Sequence, residues 1–252
     1  MLPRLSDSAR LYIGPAQTVL VQNHRGLHAR VAVRRETFEP EVDGLLVAVR
    51  SELASLPSRT PVHVILSNHL VRYVLVPFSP QVVGTVALGT VARQAFRHVH
   101  GPAADGWAVS VSAVGERTRV AAAVDQHLMQ GIIDAGRSAG VHFSAIDPLL
   151  MDGYNAARPH LFASGWFATV EPGRVTLLRT VDGEWARVVS ARCNADWRST
   201  IRQLADREAP WVEPGSDTFC QVAEYAIDDA ESSVQPVQRV ISLVPSSMPE
   251  AA

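Results

Sequence analysis

The chain has 252 residues and a mass of 27.3 kDa, with a hydrophobic fraction of 47% and a charged fraction of 19%. That mixture is too apolar for a disordered chain and long enough for one large domain or two small ones. The net charge of −2 supplies no basic field for nucleic acid or an acidic membrane, and all 23 basic residues are Arg. The absence of Lys excludes a Walker A phosphate loop, a Schiff-base enzyme and a kinase that depends on an invariant Lys.

Near the N-terminus, Leu11-Tyr12-Ile13, Gly14-Pro15 and Thr18 to Gln22 read as strand, turn and strand. His28 to Arg34 then alternates as a third, half-buried strand. A helix opens at Pro40-Glu41, with Val42, Leu45, Leu46, Val49, Leu53 and Leu56 on one face, and Pro57 ends it. Val62 to Leu66 and Val71 to Val76 are apolar enough to be buried strands, with Asn68-His69 as a solvated turn between them. A helix is predicted over Gln81 to His100, stopped by Gly101-Pro102. Strands over Trp107–Val114 and Arg119–Val124, a helix over Gln126–Ala139 and a strand over Val141–Ile146 follow.

Asp152 to Ser164 carries Gly, Asn and Pro and reads as a linker. After it the opening pattern returns. Strands are predicted over Gly165–Val170, Arg174–Arg179 and Glu184–Ala191, then a helix over Asp196–Glu208, and late strands over Phe219–Ile227 and Val237–Leu243. A β-meander followed by helices, written twice, predicts an α/β protein of tandem ribonuclease-H-like, or actin-like, lobes: mixed sheets flanked by helices. The expected lobes are 1–158, with room for an inserted subdomain, and 159–252.

The stretch from Val62 to Pro77 and the restart from Trp166 to Thr176 resemble the actin-like assembly proteins of bacterial surface machines. These are PilM of type IV pili, the cytoplasmic part of GspL of type II secretion, and MshI-like relatives. In nucleotide-binding members each lobe opens with a hairpin that carries an Asp, a Gly and hydroxyl residues. The resemblance therefore assigns Gly14, Thr18, Glu171, Gly173 and Thr176 to ATP and magnesium, if nucleotide binds. This chain departs from that pattern. Tyr12 stands where the Asp is expected, and Pro15 and Pro172 each remove an N–H donor. The resemblance then implies a pseudo-ATPase scaffold without a cofactor. Its partner would be an inner-membrane assembly protein, PilN-like or a secretion-platform subunit, with homodimerisation open and nucleic acid excluded. Tyr73 and Phe78 are the expected exposed docking residues. The N-terminus has no signal core and no run is long enough to span a bilayer, so the expected location is cytoplasmic.

Other residues carry bland readings. His98 and His100 suit a helix C-terminus. Asp228-Asp229-Ala230-Glu231 reads as a solvated loop, because a nuclease-like metal site also needs an acid on the first strand. Trp166, Trp185, Trp197 and Trp211 read as core. Cys193 and Cys220 lack redox or zinc spacing and read as free thiols.

Overall fold

The computed structural model describes residues 8–24, 30–77, 84–112, 117–208, 219–225 and 236–243. Phe78, Trp211 and the acidic run Asp228–Glu231 lie outside these residues, as do the ends of several predicted elements.

Three antiparallel strands open the chain: β1 (Ser8–Ile13), β2 (Gln17–His24) and β3 (Arg30–Thr37). β4 (Pro61–Leu66) lies parallel to β1, and β8 (His142–Pro148) parallel to β4, giving the order β3-β2-β1-β4-β8. Both faces of this sheet are covered, which explains the nearly continuous apolar runs in β1 and β4. Ala9, Leu11, Ile13, Val62 and Val64 face α1 (Val42–Ala54) and α3 (Gln126–Ala139). Tyr12, Val19, Val21 and Ile65 face the other way, onto α4 (Leu149–Ala157). In α1 the predicted stripe is buried except Val42, which sits on the first turn and is 40% exposed.

A second, smaller sheet is inserted between β4 and α3. It consists of β5 (Arg72–Pro77), β6 (Trp107–Val111) and β7 (Thr118–Asp125) in the order β5-β7-β6. α2 (Thr85–His100) covers one face through Ala92 and Phe96, which pack on Val76, Ala121 and Ala123. The Asp125 carboxylate accepts from the Leu128 N–H at 3.0 Å and so caps α3.

The third sheet repeats the opening plan. β9 (Gly165–Glu171), β10 (Arg174–Val181) and β11 (Glu184–Arg192) form an antiparallel meander, and β12 (Phe219–Glu224) lies parallel to β9. The order is β11-β10-β9-β12-β13, where β13 (Val237–Ser242) runs antiparallel to β12. Two sheets therefore share a meander with a parallel fourth strand beside the first, as the sequence pattern predicts. They differ at the fifth strand. Ala168, Val170 and Leu177 pack on α5 (Trp197–Glu208), and the opposite face, with Phe167, Leu178 and Ala223, packs on α4. Trp166, Trp185 and Trp197 are all core.

The expected linker needs correction. Its first part is α4, a buried helix with apolar faces toward both five-stranded sheets. Leu149 and Leu150 are fully buried, and Gly153 lets the helix approach β9 and β12. A Cβ there would stand 2.9 Å from Thr169 Cγ2 and 3.2 Å from Ala223 Cβ. Gly153→Ala should therefore destabilise the protein by about 1–3 kcal/mol. Gly89→Ala, in α2 with only an Arg93 side-chain tip at 3.9 Å, should instead stabilise it by about 0.5–1 kcal/mol. Denaturant unfolding of the two variants reads both signs.

Candidate functional site

The turns after β1 and β9 are the two places where an actin-like chain would grip phosphates. In the first, the Gly14 N–H donates to its own hairpin, at Gln17 O, 2.8 Å away. A Cβ on Gly14 would meet Tyr12 Cε1 at 2.9 Å, so the tyrosine ring lies against this turn. The Tyr12 hydroxyl then reaches across to donate to Glu171 Oε2 at 2.9 Å. A residue whose type removes the expected carboxylate thus ties the first hairpin to the second.

Glu171 is 2% exposed and takes two further donors, both from the turn after β4. The Ser67 hydroxyl donates to Oε2 at 2.6 Å, and the Asn68 N–H donates to Oε1 at 2.9 Å. Burial pushes the Glu171 carboxyl up to about 7, against the pull of these hydrogen bonds and of the Arg174 charge.

Asn68 is the hub of this cluster. Its amide donates to Thr169 Oγ1 at 3.0 Å. Its Oδ1 accepts from the Tyr73 hydroxyl and, at 3.2 Å, from the Leu150 N–H in the first turn of α4. That helix starts at Pro148 with no side-chain cap of its own, so Asn68 satisfies an orphan donor from a distance. Asn68-His69 is therefore no solvated turn: Asn68 is fully buried, and the half-buried His69 donates through Nε2 to the Pro172 carbonyl at 3.0 Å. One helical turn along, Asp152 accepts from Arg10 on β1 and from Tyr225 after β12, each at 2.9 Å.

The residues that the resemblance assigns to a nucleotide do not form one open set. Gly173 makes the second turn with φ +78°, and its carbonyl accepts from the Cys193 N–H. Thr18 is fully buried, with no hydrogen-bond partner for its hydroxyl among the described residues. The Thr176 hydroxyl lies 2.9 Å from Ser190 Oγ, its cross-strand partner on β11. A cavity of about 480 Å³ beside the second turn is lined by Glu171, Gly173, Cys193 and Trp197, and by no residue of the first turn. Among the described residues no cluster of His, Cys, Asp or Glu could hold a metal ion.

Tyr73 also needs correction. It is half-buried, and its hydroxyl turns inward to Asn68 instead of out to a partner. An open apolar feature lies elsewhere. A groove of about 500 Å³ runs between the inserted sheet and α4, lined by Ala108, Ser110, Ala122, Met151, Tyr154 and Trp185 among others. Its wall combines small and β-branched side chains of the inserted sheet with the large ones of Met151 and Tyr154 on α4 and Trp185 on β11. β6, which forms part of its wall, is the last strand of its sheet.

No family model and no curated protein matches the chain. Solved structures do match. The cytoplasmic domain of EpsL, an inner-membrane component of the type II secretion system of Vibrio cholerae, superposes with a TM-score of 0.58 at 13% identity, covering 87% of this chain and 82% of that one. A Bacteroides thetaiotaomicron protein with an actin-like ATPase fold has a TM-score of 0.58 at 10% identity, covering 86% of this chain and 82% of its own. The fold is actin-like. The PilM–PilN type IV pilus biogenesis complex also matches, with a TM-score of 0.50 at 17% identity over 82% of this chain and 73% of that one. No helix among the described residues is long and apolar enough to cross a membrane.

The Glu171 carboxyl sets a pH dependence. Its folded value, about 7, lies above its ordinary 4.5, so the folded protein holds the proton more tightly than the unfolded chain. This contribution is full below the ordinary value and is lost as pH rises through about 7, by about 3 kcal/mol in all. Melting of the natural protein and of Glu171→Gln, from about pH 5 to about pH 8, should show the natural protein losing stability relative to the variant. A constant difference across that range contradicts the assignment.

Proposed function

We propose that this protein is a non-catalytic scaffold of a type IV pilus or type II secretion-like assembly platform, which binds a cytoplasmic segment of an inner-membrane partner. In this reading residues 1–158 are the first lobe, with the inserted sheet as its subdomain, and residues 159–252 are the second. The location is cytoplasmic, peripheral to the inner membrane through the partner.

The observation that carries the reading is the groove between β6 and α4. It combines an apolar floor, two tyrosine- and tryptophan-sized walls and a terminal strand, which together suit an extended peptide that adds to a sheet edge and buries alternate side chains. The cleft between the hairpins supports the same conclusion from the other side. Tyr12, Ser67 and Asn68 spend their donors on Glu171, and the Gly14 N–H closes its own turn. A triphosphate would have to displace those contacts before it gained any. Fold likeness to EpsL and PilM, whose structures are described as parts of secretion and pilus machines, supports the choice of machine.

Two measurements test this. Ser110→Trp, at an exposed position on the groove wall, should leave the melting temperature within about 2 °C of the natural value. It should also abolish co-purification of pilus or secretion components. Retained co-purification would remove the groove from the proposal. Separately, ATP with magnesium at millimolar concentration should leave the melting temperature unmoved. A ligand at a hundred times its Kd would add about 2.7 kcal/mol, so a clear rise would favour a working ATPase.

A further inference from the structure

A small cavity of about 130 Å³ lies where β5 of the inserted sheet meets β10 and β11. It is lined by Arg72 and Tyr73 of β5, His100 at the end of α2, and Arg174, Val188 and Ser190 of the third sheet. Gly14, Thr18, Glu171, Gly173 and Thr176 are absent from its wall, although Arg174 directly follows the second turn at Gly173.

Its charges are unbalanced. Arg174 stands directly opposite Arg192 in the β10–β11 register, a like-charge pair that a sheet normally avoids. On its other side the register partner is Glu171, whose carboxylate is taken by Tyr12, Ser67 and Asn68. The Arg174 Nε is buried without a hydrogen-bond partner. Arg72 donates only to the His69 and Val71 carbonyls, both at 3.2 Å, which leaves the rest of its fork unused. Among the described residues, none of the three arginines forms an ion pair. Their proximity is felt by their neighbours: burial first, then Arg72 and Arg192, push Arg174 below its ordinary value against the pull of Glu171, and burial first, then all three arginines, lower His69 against its bond to Pro172.

We propose that Arg72 and Arg174, with His100 on the facing wall and the exposed Arg192 flanking the cavity opposite Arg174, form a binding site for a phosphate-type oxyanion. Two arginines on the wall with unused N–H donors, and a third cation beside them, match a compact dianion with acceptors on every side. The volume equals roughly four water molecules, enough for a phosphate group and too small for a nucleoside. The bound anion joins β5 to β10 and β11, so it fastens the inserted sheet to the third sheet and relieves the Arg174–Arg192 repulsion. This inference does not depend on the scaffold reading, because its test uses neither partner nor nucleotide.

The test is a titration of the full chain at constant ionic strength with inorganic phosphate, glycerol 3-phosphate, acetate or chloride. Melting temperature and calorimetric heat are read for the natural protein, Arg174→Met and Arg192→Gln. Inorganic phosphate at ten times its Kd should raise the natural melting temperature by about 3 °C more than chloride. Both variants should lose affinity by about tenfold or more. Without phosphate, Arg192→Gln, an exposed replacement, should melt at or above the natural temperature because the like-charge pair is gone. A matching effect of glycerol 3-phosphate identifies a phosphate monoester as the ligand, and its failure identifies the free ion. An equal effect of acetate or chloride, or a full phosphate response in both variants, overturns the site.

Discussion

The structure depends on one buried carboxylate whose hydrogen bonds all come from the other five-stranded sheet. Glu171 ends β9, yet its donors are Tyr12 on β1 and the turn after β4. A buried acid is costly unless it is satisfied, and each donor lost would leave a penalty larger than the bond is worth when made. The two sheets are thereby tied together at their hairpin turns.

α4 extends that constraint into the core. Its backbone is capped by Asn68, Gly153 brings it against Thr169 and Ala223, and Asp152 joins Arg10 to Tyr225. The helix is short and would not be stable alone. It holds because both sheets use it as the floor of one shared apolar cluster, from Tyr12 and Ile65 to Phe167 and Leu178. The groove beside β6 borders the same helix, so its shape is set by the same packing.

Much of this was legible along the chain. The meander-helix restart, the alternation in β1 to β3, and the stripes of α1, α3 and α5 follow from period and turn chemistry. The departure at Tyr12 and the two prolines was visible too. The linker reading failed because Gly153 and Asn155 look like breakers when context is ignored, whereas here Gly153 answers a close approach. Asn68 was hidden for a related reason. A polar residue between two apolar strands reads as a solvated turn until its four partners, the farthest of them 103 residues along the chain, are brought together. Tyr73 looked like an exposed aromatic because a sequence does not show which way a hydroxyl points.

The sequence by itself determined the elements, their order and the duplicated plan, since local periodicity and turn residues act over a few positions. It also determined that the first hairpin carries Tyr12 where a carboxylate is expected. Only the tertiary structure decided what replaced it. Whether a buried Glu, a lone Asn or a row of arginines is satisfied depends on partners contributed by distant strands, and those partners exist only once both sheets have closed on α4.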